Sequence, residues 1–381
     1  MEIRKVGIVD VARSPIARAK NGSLNGLSGL EVASQVVKQL LARNPQVPVD
    51  RIEHLAAGCA FPEGENGLNL ARQIVVKSGL PISVAATTVN QFCASSQQAL
   101  MVLADALAVG KGDIAIVVGL EHMVRVPMGG YNPAYDKELA ELGFYMGMGD
   151  TAELLAKEGS ISREAQEAFS AESHVKALKA WKERAFAKEV VPITLPDGKK
   201  FEVDECPMEP NLEKMRSLAP AFDAKGTITA ATSSPVSVGA GAAILMAEDV
   251  AQKLELPLRA RLVTTAVSGC DYKRMGMGPI PATEKALARA GLKMSDLDVI
   301  ELNEAFAAQS LYVIEKGRFP KEKVNVLGGA IALGHPLGMS GIRIVGTALT
   351  VLERAKGRYG LATMCVGGGQ GATTILERVG R

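Results

Sequence analysis

Strand-like runs alternate with alanine-rich helical stretches through about the first 120 residues of this chain, and the same alternation returns through about the last 120. The strand-like runs are Val6–Val9, Thr87–Val89 and Ile114–Val118, then Leu262–Ala266, Val299–Glu301 and Leu361–Val366. Helical spacing fills Gly29–Leu41, Ser95–Val109 and Pro281–Ala290. Short strands separated by helices of this length can bury their faces only in a layered α/β fold, with helices covering the sheets. The two ends also echo each other. Thr87–Val89 leads through Asn90-Gln91-Phe92-Cys93 into a helix near Ser95 and then the apolar strand Ile114–Gly119. Later, Val324–Val326 leads through a glycine-rich loop with His335 into a helix near Ser340 and then Leu361–Gly367. We read this as a duplicated α/β unit. A length of 381 residues, more than one core usually organises, agrees with two or three subdomains.

The middle, from about His122 to Thr229, differs in character. It opens with irregular Met128-Gly129-Gly130-Tyr131 and Tyr145-Met146-Gly147-Met148-Gly149. A charged helix comes next, with Ser162 as N-cap and Glu164 in the first turn, reaching about Lys188. Pro196-Asp197-Gly198 marks a turn. An excursion this long between two α/β units predicts an inserted subdomain bearing binding loops.

Charge and composition narrow the function. Forty-three Lys and Arg against forty-one Asp and Glu give a net +2, without the basic excess of a nucleic-acid binder. No window of roughly 18 apolar residues predicts a membrane span. The start, Met1 to Asp10, reads as a short strand without signal- or transit-peptide character, and Val379-Gly380-Arg381 is no peroxisomal tripeptide, so a cytoplasmic location is expected. Five cysteines (Cys59, Cys93, Cys206, Cys270, Cys365) and four histidines are scattered, which signals neither a metal site nor a disulfide framework.

Four segments carry chemistry. Cys93 comes after a β-rich run and opens a helix, where the dipole and free N–H groups favour thiolate; its bland reading is a small buried residue at a strand end. His335 lies in Gly328–Gly341, where five glycines and a His-Pro let backbone approach a ligand and hold the imidazole rigidly. Cys365 precedes Val366-Gly367-Gly368-Gly369-Gln370-Gly371, whose free N–H groups suit an oxyanion. Gly367, Gly369 and Ala372 imitate a dinucleotide fingerprint, but only nine residues come after them, too few for the helix, strand and acidic residue that fingerprint needs. Asn303 in Asn303-Glu304-Ala305-Phe306-Ala307 is explained equally by helix capping or by catalysis.

Together and in this order, these segments resemble the thiolase family. The matching stretches are V-N-x-x-C-x-S ending at Ser95, M-G-x-T-A-E at Met148–Glu153, T-S-S at Thr232–Ser234, N-E-A-F-A, G-G-A-I-A-L-G-H-P-x-G-x-S-G and C-x-G-G-G-x-G. The likeness is greatest to the degradative bacterial 3-ketoacyl-CoA thiolases, which share Cys-x-Ser-Ser at Cys93–Ser96. The resemblance implies two similar halves in a five-layered αβαβα core: 1–121 with about 230–258, then 259–381, with a loop domain at 122–229. It implies acyl transfer from a 3-ketoacyl-CoA, with Cys93 as nucleophile, His335 as its base, and Cys365 as proton shuttle. His335 and a water on Asn303 would hold the enolate or thioester oxygen, and the N–H groups of Cys93 and Gly367 would hold the acyl oxyanion.

Met148, Ala230, Ser234, Ala305 and Phe306 match positions lining the family's pantetheine channel, and the CoA phosphates would fall to some of Lys176, Lys179, Lys182, Lys214 and Arg216. No cofactor is bound permanently in such enzymes; coenzyme A is a substrate. The resemblance also implies a homodimer or dimer of dimers, with its sheet edges buried by dimerisation, and a multifunctional β-oxidation α-subunit is a further partner. We expect Met128 and Met146–Met148 to line an adaptable acyl pocket. Departures from the pattern are Val238 for the usual Asp, Ala219 for the usual Arg, and Gly147 for the His of biosynthetic relatives. The alternatives are an acetoacetyl-CoA or 3-oxoadipyl-CoA thiolase, and a silent acyl-CoA-binding protein on the same fold.

Overall fold

The computed structural model describes residues 3–379. Met1 and Glu2 of the expected first strand, and Gly380 and Arg381 of the C-terminal tripeptide, lie outside the described residues. The N-terminal half runs β1 (Val6–Arg13), β2 (Ala17–Arg18), α1 (Gly29–Ala42), β3 (Ile52–Gly58), α2 (Leu70–Ser78), β4 (Ala85–Val89), α3 (Ser95–Ala108) and β5 (Ile114–His122). An insertion holds α4 (Lys137–Glu141), α5 (Met148–Glu158), α6 (Arg163–Lys182), the hairpin β6–β7 (Ile193–Thr194, Lys200–Phe201) and α7 (Leu212–Ser217). The chain returns through β8 (Ser237–Ala247) and α8 (Glu248–Lys253). The C-terminal half contains β9 (Ala260–Gly269), α9 (Pro279–Ala290), β10 (Val299–Leu302), α10 (Ala307–Lys316), α11 (Ala330–Leu333), α12 (Leu337–Ala355), β11 (Tyr359–Val366) and β12 (Gln370–Arg378).

The duplication is real in the topology. The N-terminal half contributes the order β4-β3-β5-β8-β1 and the C-terminal half β10-β11-β12-β9, and the two are joined where β1 pairs with β9, Gly7 opposite Arg261 and Ile8 opposite Ala260. In both, pairing at the outer end is parallel (β4-β3-β5 and β10-β11) and the next two pairs are antiparallel. The expected strand at Val324–Val326, which would match β4, is reduced to one parallel bridge from Val324 to Ile300. Asn325 has a left-handed φ of 47° that breaks the extended chain. Its side-chain amide instead accepts from Leu302 N (2.8 Å) and donates to Leu302 O (2.7 Å), taking over the pairing a strand backbone would make.

Side-chain alternation along the strands builds the layers. On β5, Ile114, Ile116, Val118 and Leu120 face a core shared with α1 and α2, while Ala115 and Val117 face a second core shared with α3 and α12. That second core includes Ala362, Met364 and Val366 of β11; Leu361 of the same strand turns outward to α9 and α10. The order is therefore helices, sheet, α3 with α12, sheet, helices: five αβαβα layers. Every residue from Leu337 to Leu352 is buried, as a helix enclosed between two sheets requires.

Local signals account for several boundaries. Ser28 and Ser162 accept from Glu31 N and Ala165 N as N-caps of α1 and α6. Helix α6 stops at Lys182 rather than about Lys188, because Arg184 takes a φ of 56° and a separate 3-10 turn covers Ala185–Lys188.

Candidate active site

Cys93 sits where β4 delivers the chain to α3. Phe92, just before it, has a φ of 43°, a left-handed conformation that costs energy for a side chain of this size. Two polar side chains hold it there. Asn90 Oδ1 accepts from Phe92 N (2.9 Å), and Ser95 Oγ donates to Phe92 O (2.6 Å) while accepting from Gln91 N (3.0 Å). The strain turns Cys93 out of the strand and against the C-terminal half, where the backbone N–H groups of Gly367 and Cys93 itself point at its sulphur. Burial pushes the thiol up to about 12, those two N–H groups oppose the rise, and the Glu121 carboxylate adds to it. The helix-start argument for a thiolate is thus outweighed by desolvation. At rest Cys93 is a neutral thiol with preplaced donors for the charge it will later share.

His335 is buried between Gly334 and Pro336 at the start of α12. Ser340 Oγ donates to Pro336 O (2.9 Å), so its lone pairs are left to receive Nδ1–H of the imidazole at 2.5 Å. That bond fixes the tautomer and leaves the Nε2 lone pair facing Asn303 Nδ2 at 3.3 Å. Asn303 does not cap a helix: α10 begins only at Ala307, with Phe306 in the cap position. Asn303 is fully buried, its N–H pairs with Thr363 O (3.0 Å), and its Oδ1 has no protein partner among the described residues.

Burial, with a smaller contribution from the Arg343 guanidinium, lowers His335 to about 3. The group is therefore a neutral base at any working pH. The same depression makes stability depend on pH. A lowered folded-state value gives stability that is complete above the ordinary 6.5 and lost as pH falls towards 3. At about 1.4 kcal/mol per unit, several kcal/mol are at stake. We expect the urea midpoint of a His335→Asn variant to decline less steeply than wild type between pH 6 and 4; equal slopes would contradict this.

Cys365 ends β11 beside the turn into β12. Gly368 and Gly369, with φ of 77° and 78°, make that turn, which suits residues without a Cβ. The segment that imitates a dinucleotide fingerprint is this hairpin, and it leads into the strand β12 rather than a helix. Burial raises the Cys365 thiol well above its usual range, with a further rise from neighbouring Cys93. Cys365 packs in one cluster with Ala305, Phe306 and Met148. A Cβ on Gly367 would touch the Phe92 ring at 3.4 Å and Met148 Sδ at 3.7 Å, so the two halves meet around the two thiols.

The remaining substrate residues group around the insertion. Ser234 N donates to Ala305 O (3.0 Å), and Ser233 bridges to Phe306, so these segments run side by side. A cavity of about 680 Å³ opens beside them, lined by Ala230, Ser233, Lys214, Arg18, Lys20 and His174 among others. Of the five basic residues expected near the phosphates, Lys214 alone lines this cavity; Lys176 pairs with Glu172 and Lys179 with Glu183. Arg18 and Lys20 line the cavity too, which the sequence did not suggest, because nothing in the order of residues brings position 18 to position 214. Of the methionines expected around an acyl pocket, Met148 packs with Cys365, Ala305 and Phe306, Met146 lines a different cavity with Asp150 and Lys157, and Met128 is 61% exposed. Of the departures, Val238 is buried in β8 opposite Ala17 and His122.

Two buried carboxylates were missed as well. Glu121 accepts from Ala60 N (2.7 Å) and Gly338 N (2.9 Å), joining the N-terminal half to the start of α12. A Cβ on Gly338 would lie 2.4 Å from Leu120 O, so only glycine allows this approach. Glu304 accepts from Ser173 Oγ (2.8 Å), Asn325 Nδ2 (2.8 Å) and Ile331 N (3.1 Å), tying α6 to the loop that leads to His335. The available signal was a charged residue next to, or ending, an apolar strand.

Two α/β halves in five layers, with Cys93 and Cys365 where they meet and His335 held against Asn303, have the architecture of a thiolase. Residues 6–249 match the thiolase N-terminal domain and residues 256–378 the thiolase C-terminal domain; the chain belongs to the thiolase family. It is 46% identical to the 3-ketoacyl-CoA thiolase of Alcanivorax borkumensis over 99% of each chain. It is likewise 46% identical to the Vibrio cholerae 3-ketoacyl-CoA thiolase, over 98% of this chain and 99% of that one. The crystal structure of human mitochondrial 3-ketoacyl-CoA thiolase superposes with a TM-score of 0.92 at 32% identity, covering 99% of each chain. The Bacillus anthracis acetyl-CoA acetyltransferase gives 0.91 at 32% identity, covering 99% of this chain and 100% of that one.

Proposed function

We propose that this enzyme cleaves 3-ketoacyl-CoA with free coenzyme A, giving acetyl-CoA and an acyl-CoA shortened by two carbons. The observation that carries the reading is the Cys93 thiol, which receives two backbone N–H groups beside a second buried thiol, Cys365. His335 Nε2 takes the Cys93 proton as sulphur attacks the ketone carbon. The Gly367 and Cys93 N–H groups meet the oxygen that becomes negative. The bond between C2 and C3 breaks, leaving acyl-Cys93 and the enolate of acetyl-CoA. The new Nε2–H, with Asn303, faces the enolate oxygen, and the Cys365 thiol delivers the proton to C2. Free CoA then gives its thiol proton to Cys365 thiolate and attacks the acyl carbonyl, and the Cys93 thiolate that leaves recovers its proton from His335.

The cavity lined by Ala230 and Lys214 is the place for coenzyme A, with Arg18, Lys20 and Lys214 supplying positive charge for its phosphates. Met148, Ser234, Ala305 and Phe306 would flank the pantetheine arm. The reading extends to fatty-acid β-oxidation in the cytoplasm, to a homodimer or dimer of dimers formed at the open edge strand β4, and to an α-subunit partner. The names of the full-length bacterial relatives and the Ser96 spelling support the degradative direction.

The test is thiolysis of acetoacetyl-CoA and 3-ketohexadecanoyl-CoA, with intact-mass detection of acylated enzyme. An acetyl or tetradecanoyl adduct that free CoA discharges is expected, and the rate ratio assigns chain length. No turnover and no adduct with either substrate would leave a binding protein on this fold.

A further inference from the structure

Two rungs join the same two elements beneath the reacting groups. The upper rung is His335 to Asn303. His335 is anchored by Ser340 of α12, and Asn303 comes directly after β10. The lower rung is Arg343 of α12, whose Nη1 lies 3.3 Å from Glu301 Oε2 on β10, with both side chains 1% exposed. Ser340 and Arg343 are three residues apart, one turn along one helix face. Glu301 and Asn303 are two apart, on one side of an extended chain. The lower rung therefore repeats the upper one, one turn further along the helix.

A single long bond is a poor return for burying this pair. Arg343 Nε and Nη2 and Glu301 Oε1 have no partner among the described residues. A buried ion pair so incompletely satisfied is weak support for stability, and an apolar pair of similar volume usually serves a core as well or better. Its charges are not isolated. Glu189 and Glu304 face Arg343 from the insertion and from the Asn303 loop, and Arg13 faces it from β1 with its own partners Glu189 and Asp204. Burial pushes the Glu301 carboxyl up to about 8, with Glu189 and Glu304 adding to the rise and Arg343 and Lys176 opposing it. The Arg343 guanidinium adds to the burial that keeps His335 neutral.

We propose that Arg343 and Glu301 are positioning residues for the acyl-transfer reaction: the pair locks α12 to β10 so that His335 and Asn303 keep their spacing, and it places one balanced positive charge beneath the imidazole. The proposal rests on the thiolase reading above and names two residues that the sequence did not single out.

Arg343→Met removes the cation, and Glu301→Gln keeps the shape of its partner without the carboxylate. His335 lies near 3, below any working pH, so the pair is read from the split between kcat and KM rather than from a pH profile. Loss of the clamp should reduce kcat by on the order of tenfold to a hundredfold in both variants, with KM for CoA changed by less than about twofold. Arg343→Lys, which keeps the charge, should recover much of kcat.

Thiolysis of acetoacetyl-CoA, with thermal melts of each variant, is the experiment. Reduced kcat with KM for CoA unchanged, recovered in Arg343→Lys, supports the pair. Folded variants with wild-type kcat overturn it. If Glu301→Gln and Arg343→Met fail to fold, the uncharged double variant Glu301→Gln/Arg343→Met is measured instead. A folded double variant with full kcat, or its collapse as well, shows a role in stability alone and also overturns the proposal. Acylation of Cys93 in wild type is followed in the same series. Its absence would fail the thiolase reading, whereas its presence beside fully active variants fails only the positioning pair.

Discussion

Cys93→Ala is expected to lose thiolysis by on the order of 10⁴-fold or more, because no other group can carry the acyl intermediate. The remaining thiols show why. Burial raises Cys59 and Cys365 well above the usual thiol range, and Cys206 to about 12. Cys270 reaches only about 11, so acidity alone would select it over Cys93. Geometry reverses that choice. Cys270 has a long contact of 3.9 Å to Arg274 O, an acceptor that gives a thiolate nothing. Cys93 has two N–H donors at the sulphur and sits against the turn that carries Gly367. The variant should melt close to wild type, since the lost sulphur is half-buried and leaves a small side chain in place. Peptide mapping after incubation with acetoacetyl-CoA completes the test; an acyl group found on Cys270 or Cys365 in wild type would refute the assignment.

Arg13→Ala is expected to destabilise the protein by about 3–5 kcal/mol, the range for removing one partner of a buried charge pair. Arg13 ends β1 and is 2% exposed, yet its partners come from the insertion: Glu189 at 2.9 Å and Asp204 at 2.8 Å. Asp204 also accepts from Ile16 N (2.7 Å) and Trp181 Nε1 (3.2 Å), and Glu189 from Thr350 Oγ (3.0 Å) on α12. The guanidinium lies over the Phe186 ring at 5.2 Å. Alanine would strand two buried carboxylates and open the joint between the insertion and the central helix layer. Urea unfolding measures the cost. Adding Asp204→Asn to Arg13→Ala should cost less than the sum of the two single changes, since they share a partner. A loss below about 1 kcal/mol, or strict additivity, would show that the hub does not hold the insertion in place.

The alternation of apolar strands and helical runs was enough to place the layers and the duplication, because the periods of strand and helix are set locally by backbone geometry. It failed where side chains replaced backbone. Asn325 pairs with β10 through its amide, so Val324–Val326 has a strand's composition without forming one. It also passed over β8, whose Ser237–Ala247 is buried on both faces and built largely of small residues, leaving no alternation to read.

The proposed reacting groups stood out in the sequence for a similar reason. Cys93, His335 and Cys365 each sit in a local turn built by its own neighbours, such as Phe92 with Ser95, the Gly334–Pro336 step and Gly368-Gly369. Asn303 was left open between capping and catalysis; only the fold removes capping and sets its amide 3.3 Å from His335 Nε2. The electrostatic state of the site depended on the fold throughout. Cys93 is a neutral thiol rather than a thiolate because desolvation by the second half exceeds the effect of the helix start. His335 stays neutral because two sheets and a buried arginine surround it. Local chemistry names the residues; the charge each one bears depends on what the rest of the chain packs around it, and no run of neighbouring residues contains that information.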